Sequence, residues 1–288
     1  MRTPLRLIVP LSTLSVFACS PSSSDESTRA SQRGLTQAFV EEKEPNDAAL
    51  SAIPLIGESV VVRGYVSPNA DADYYSFEAN AGDRVYAATM TAGSTASTDS
   101  VLDVFATDGV TLLETDDDDG SLSSFSSVIA GTTLATAGTY TLRVTNRLAD
   151  AQIRPYHLHF ALQSGAPVAE AEPNDTTAEA QTLPASGWIS GATSTVVDAD
   201  YYAVTVNAGD TIYAALDLDP ERDGVEWNGT VGIGLSPNDL LTVSSPGAGT
   251  PDGEAHFVTV KSAGTYQVVV ASAAGFGSYH LSVKVHPN

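Results

Sequence analysis

Asp71-Ala72-Asp73-Tyr74-Tyr75-Ser76-Phe77-Glu78-Ala79 puts Tyr75, Phe77 and Ala79 on one side of an extended chain and the polar groups between them on the other. A period of two is the mark of a strand with one buried face. Nearly the same run returns as Asp198-Ala199-Asp200-Tyr201-Tyr202-Ala203-Val204-Thr205-Val206. Further words recur around it in the same order. Glu44-Pro45-Asn46-Asp47 returns as Glu172-Pro173-Asn174-Asp175, Asn80-Ala81-Gly82-Asp83 as Asn207-Ala208-Gly209-Asp210, and Ala137-Gly138-Thr139-Tyr140 as Ala263-Gly264-Thr265-Tyr266. The offset stays at roughly 126 residues, so the chain holds two copies of one module.

Both copies are built from short alternating runs. Tyr140, Leu142 and Val144, then Tyr156, Leu158 and Phe160, share faces in the first; Tyr266, Val268 and Val270, then Tyr279, Leu281 and Val283, do so in the second. Gly, Asn, Asp and Pro stand between the runs, and no long helical stripe occurs. The expected fold is all-β, two tandem antiparallel jelly-roll β-sandwich domains at residues 40–164 and 168–288, joined by the Gly-, Ala- and Pro-bearing stretch 164–169. His157 and His159 alternate with the apolar face of their strand and are expected to face solvent.

The 288 residues carry 13 Lys and Arg against 35 Asp and Glu, a formal charge of -22. Such a chain repels phosphate backbones and anionic headgroups, so nucleic acid is excluded as a partner. The N-terminus has Arg2 and Arg6, a short apolar run from Leu7 to Phe17, then Ala18 and the chain's single cysteine, Cys19. This is a signal-peptide layout over residues 1–18, too short to span a bilayer. It resembles a bacterial lipoprotein signal, which implies lipidation of Cys19. Residues 19–39, rich in Ser and Thr, read as a flexible tether. The expected location is the bacterial cell envelope, lipid-anchored at the outer membrane, or secretion, with the membrane touched through the lipid only.

Ahead of each first strand lies an acidic cluster: Glu42, Glu44, Asn46 and Asp47, then Glu170, Glu172, Asn174 and Asp175. Pro45 and Pro173 discourage helix there. About 25 residues later comes an Asp-x-Asp pair, Asp71 and Asp73 or Asp198 and Asp200, whose spacing puts both carboxylates on one side of a strand. These are hard oxygen donors, suited to Ca2+, which takes 6 to 8 oxygens. Five carboxylates per copy exceed what one divalent ion neutralises, so two ions, or some groups acting only as acceptors, are both open. Without clustered Cys or His, zinc and copper do not fit. The same residues also read as solvated turns, but their recurrence at the same two places argues for a site.

These words together, the Glu-x-Glu-Pro-Asn-Asp opening, Asp-x-Asp-Tyr-Tyr, Ala-Gly-Asp and Ala-Gly-Thr-Tyr, resemble the bacterial pre-peptidase C-terminal domain family, similar in fold to the collagen-binding domains of clostridial collagenases. The resemblance covers nearly all of the chain after the tether. It implies a jelly roll whose N-terminal linker is clamped by calcium, with the twelve residues just named as metal ligands. No Gly-x-Ser-x-Gly, His-Glu-x-x-His or phosphate loop is present, so no catalytic residues and no enzyme are expected. The leading expectation is a non-catalytic surface module for adhesion or substrate binding, its partner an extracellular polysaccharide or protein. The alternatives are a chaperone or targeting factor for a separately encoded secreted protease, and a glycan hydrolase using an acidic pair.

Overall fold

The structure, a computed structural model, describes residues 40–118, 120, 125–224, 227–243 and 253–288. The expected signal peptide, tether and Cys19 lie outside the described residues. Among the described residues, no helix is long and apolar enough to cross a membrane.

The first half contains β1 (Val40–Glu41), β2 (Ile53–Pro54), β3 (Ser59–Val66), β4 (Ala72–Ala79), β5 (Arg84–Met90), β6 (Ser100–Phe105), β7 (Leu112–Asp116), β8 (Val128–Thr133), β9 (Gly138–Asn146) and β10 (Ile153–Gln163). They form two sheets, ordered β1-β3-β10-β5-β8 and β2-β4-β9-β6-β7. The second half contains β11 (Val168–Ala169), β12 (Gln181–Thr182), β13 (Trp188–Ala192), β14 (Ala199–Val206), β15 (Thr211–Asp217), β16 (Asn228–Gly234), β17 (Leu241–Val243), β18 (Gly253–Thr259), β19 (Gly264–Ala274) and β20 (Ser278–His286). Its sheets, β11-β13-β20-β15-β18 and β12-β14-β19-β16-β17, repeat the first order strand for strand. The chain is therefore all-β, two sandwiches of one topology.

Period-two alternation sends the apolar side chains of β4, β9 and β10 into the space between the first pair of sheets. Tyr75, Phe77, Tyr140, Leu142, Tyr156, Leu158 and Phe160 form that core. Tyr202, Tyr266, Val268, Tyr279, Leu281 and Val283 do the same in the second.

The expectation for the histidines is corrected. His159 is 1% exposed, because the outer face of β10 is covered by the second sandwich. Tyr86, Ala88, Val128, Ala130 and Ala161 of the first sandwich pack with Trp188, Tyr213, Ala215, Ala255 and Phe257 of the second in a third apolar cluster. His159 stacks on Phe257 with ring centres 3.9 Å apart and on Tyr213 at 5.1 Å. His157, two residues earlier on the same face, is half-buried. Alternation reports that two faces differ, not that the polar one meets water.

Polar contacts tie the same interface. Trp188 Nε1 donates to Tyr86 Oη at 3.0 Å, and Gln163 Nε2 donates to Ser282 Oγ at 2.8 Å. Asp217, fully buried, pairs with Arg84 from across the interface at 3.3 Å and with Arg222 of its own sandwich at 2.5 Å. Arg222 also donates to Ala130 O at 2.6 Å.

Candidate metal centre

The acidic linker is placed by two short parallel pairings. β1 adds to β3, with Glu42 N–H donating to Arg63 O at 3.0 Å just beyond it. β2 adds to β4, which belongs to the other sheet. The residues between β1 and β2 thus cross from sheet to sheet over the edge of the sandwich, past Asp71 at the end of the β3–β4 turn and Asp73 at the start of β4. Midway, Tyr74 N–H donates to Asn46 O at 3.0 Å and fixes the crossing. The second copy repeats this with β11 on β13, β12 on β14, and Tyr201 N–H on Asn174 O at 2.9 Å. The Glu44-Pro45 and Glu172-Pro173 peptides are both cis.

All six candidate residues of the first copy meet at this crossing. Glu42, Glu44 and Asp73 offer carboxylate oxygens within 4.8 Å of one another, and so do Glu44, Asp47 and Asp71. Two oxygens that share a calcium-sized ion at ~2.4 Å can stand at most ~4.8 Å apart, so each trio is within the span of one ion. Asn46 is fully buried between them. Its amide nitrogen, turned inward, lies 2.7 Å from Glu44 Oε2 and 3.3 Å from Asp73 Oδ1. In the second copy Glu170, Glu172 and Asp200 form the matching trio. Buried Asn174 stands at 3.1 Å from Glu172 Oε2 and 3.2 Å from Asp200 Oδ1 in the same orientation. Asp175 and Asp198 hydrogen-bond each other. A second trio at that spacing occurs in the first copy and not in the second, among the described residues.

Sequence reasoning placed Tyr75, Tyr156, Tyr202 and Tyr279 in the cores and missed their polar ends. Tyr75 Oη and Tyr156 Oη are 2.5 Å apart; Tyr156 Oη donates to Asp73 Oδ2 at 2.7 Å, and both phenols lie 3.4 Å from Glu42 Oε2. Tyr202 and Tyr279 repeat this pair at 2.5 Å, with Tyr279 donating to Asp200 Oδ2 at 2.6 Å and both reaching Glu170 Oε2 at 3.2 and 3.1 Å. The available signal was that each of these tyrosines occurs at the same place in both copies. Gly64 and Gly191 were missed as well. They bring β3 and β13 so close that an added Cβ would stand 2.2 Å from Glu42 Oε2 and 2.5 Å from Glu170 Oε2, respectively.

Burial and mutual repulsion shift these carboxyls. Burial, then the Glu42 charge, pushes Asp73 up to about 9; burial, then Glu44, pushes Glu42 up to about 7 despite the hydrogen bond from Tyr65 N–H. Burial raises Asp71 and Glu170 as well, and carries Asp200 up to about 7. Asp175 is raised by its hydrogen bond with Asp198. Burial would raise Asp198 too, but the bonds from Ser194 and Asp175 outweigh it and hold that carboxyl low. Among the described residues, no Lys or Arg forms an ion pair with any of the twelve. The negative charge collected here is compensated either by protons or by a cation that the oxygens share.

The match to known proteins falls on this region. Residues 71–146 match the model of the bacterial pre-peptidase C-terminal domain, starting at Asp71, so that Glu42 to Asp47 lie ahead of the matched segment. No curated relative matches the sequence. Among solved structures, the chain is similar to the periplasmic g-type lysozyme inhibitor PliG of Aeromonas hydrophila, at 17% identity over 44% of this chain and 100% of that one, with a TM-score of 0.31. It is also similar to the CUB1-EGF-CUB2 region of human MASP-1/3, at 9% identity over 79% of this chain and 100% of that one, TM-score 0.25. The tandem CBM22 domains of Paenibacillus barcinonensis Xyn10C give 9% identity over 88% and 100%, TM-score 0.25. The likeness to the bacterial pre-peptidase C-terminal domain therefore rests on residues 71–146 of the first sandwich.

Proposed function

We propose that each sandwich binds calcium at its linker crossing, and that the protein is a non-catalytic binding module of the cell envelope whose linkers the metal clamps in place. The observation that carries this reading is the twofold convergence of oxygen donors from distant parts of the chain. Glu42 and Glu44 meet Asp73, and Glu170 and Glu172 meet Asp200, each trio within 4.8 Å. The donors fit the ion: carboxylates with an adjoining amide, and no imidazole or thiolate among them, suit a hard cation of flexible coordination. If the Asn46 and Asn174 amides turn their oxygens inward, each adds one more neutral donor. Calcium held only by the native state stabilises it by RT ln(1 + [Ca2+]/Kd), and extracellular sites have Kd of ~10⁻⁴ to 10⁻³ M. The modules would then be stiff outside the cell, ready to hold a polysaccharide or protein partner, with avidity if both copies engage.

Calorimetric titration with calcium tests this directly. The wild type is expected to show saturable binding in that range and a melting temperature that rises with calcium. Glu44→Ala combined with Glu172→Ala is expected to lose both effects. Melting that ignores calcium and chelator alike would overturn the metal assignment.

A further inference from the structure

The two sandwiches share topology but not filling, and the difference leaves a cleft of about 630 Å³ in the second, lined in part by Leu183, Gly187, Val204, Val283 and Val285. Strand pairing shows what stands at the same places in the first. Phe77 is opposite Tyr140 as Val204 is opposite Tyr266. Phe160 is opposite Ala87 as Val283 is opposite Ala214, and Leu162 is opposite Val85 as Val285 is opposite Ile212. Val60, across from Phe160 on its other side, is matched by Gly187, whose carbonyl accepts from Val283 N–H at 2.7 Å. In the first sandwich Val60, Phe77 and Phe160 are buried, with the two phenyl rings 4.8 Å apart. The second sandwich therefore has about a dozen fewer side-chain carbons in the same space, and closely packed cores do not fully collapse around such losses. Nor can Gly187 be refilled: a Cβ there would stand 1.9 Å from Val283 O.

We propose that this cleft between the sheets of the second sandwich binds a single aromatic ring of a small molecule, in the place that Phe77 and Phe160 occupy in the first. The warrant is complementarity within one chain: the same wall positions carry phenyl rings in one copy and the smaller Val204 and Val283 in the other. Its volume falls in the range of small-molecule sites, and apolar cavities made by large-to-small replacement take up benzene-sized ligands. The inference does not depend on the calcium reading, because none of the twelve acidic-site residues lines the cleft.

The test is titration of the methyl-labelled full chain with 4-fluorobenzyl alcohol, followed by NMR on both the probe fluorine and the protein methyls. Saturable shifts on Leu183, Val204 and Val283 are expected, with Kd on the order of 10⁻³ M for so small a ligand. A capped tripeptide with a central Phe, run alongside, separates a free ring from an aromatic side chain; tighter binding of the alcohol is expected, and binding of the peptide alone would overturn the small-molecule assignment. Val204→Phe with Val283→Phe, which restores the filling of the first sandwich, is expected to raise the melting temperature and abolish the shifts. Absence of saturable shifts in the wild type, or shifts on methyls away from the cleft, would overturn the proposal even if the filled variant fails to fold.

Discussion

The twelve candidate ligands were legible residue by residue because carboxylates and amides announce their chemistry by type, and because each recurs in the second copy. The tyrosines and glycines around them were not. Tyr156 earns its polar role from Asp73, a residue far away in sequence, and Gly64 is needed only because Glu42 of the linker and Tyr156 of β10 close in on it. Gly64→Ala is the sharpest probe of that closeness, since its Cβ would stand 2.2 Å from Glu42 Oε2 and 2.4 Å from Tyr156 Oη. Overpacking of this kind costs about 1 to 3 kcal/mol, and displacing Glu42 is expected to weaken the proposed calcium binding about tenfold. Gly93→Ala, where an added Cβ meets nothing within 4 Å, is the control and should stay within about 0.5 kcal/mol. Urea unfolding and calorimetry of the two variants check both parts; equal behaviour would mean that the strand yields freely at Gly64.

Alternation in β4, β9 and β10 was enough to find those strands and their core faces. β5 and β15 follow a different rule. Val85-Tyr86-Ala87-Ala88 and Ile212-Tyr213-Ala214-Ala215 are continuous apolar runs, buried on both faces. Val85 and Ala87 face their own core while Tyr86 and Ala88 face the other sandwich. Unbroken apolar strands are the signature of double burial. The small Ala88 and Ala215 let the two sheets approach, so a charge placed there has nowhere to go. Ala88→Asp is expected to destabilise the protein by more than about 3 kcal/mol or to part the sandwiches, because the carboxylate would be buried without a partner. Thr205→Asp, on an exposed face of β14, should change stability by no more than about 0.5 kcal/mol. Urea unfolding, with the radius of gyration from small-angle scattering, distinguishes loss of stability from separation.

In the molecule as a whole, the two sandwiches make one body, and the layer between them gathers His159, His280 and His286. All three are held below the ordinary histidine range, chiefly by burial: His280 and His286 down to about 4, and His159 well below its usual value. His280 meets the edge of Trp188, its Nδ1 has no hydrogen-bond partner among the described residues, and the charges of Arg84 and Arg222 depress it further. A base whose folded pKa lies below its unfolded value takes up protons first in the unfolded chain, so its contribution to stability is intact above about 6.5 and is lost as pH falls toward 4. Glu114 and Asp217, raised by burial to about 7 and about 6, act in the opposite sense. The clean measurement is therefore a difference. His280→Phe keeps the ring and gives up no Nδ1 hydrogen bond. It should match the wild type near pH 7 and gain on it by at most about 1.4 kcal/mol per pH unit between 6.5 and 4. A constant gap across that range, read from thermal melts at each pH, would show that His280 does not titrate on unfolding. Strand identity, the repeat and the donor set were readable from the chain alone, since each follows from local period, turn chemistry and residue type. Which polar faces escape water, which tyrosines serve carboxylates, and where one copy leaves room that the other fills came from the folded body. Those properties belong to pairs of distant residues, and burial is fixed by what packs against a strand rather than by the strand.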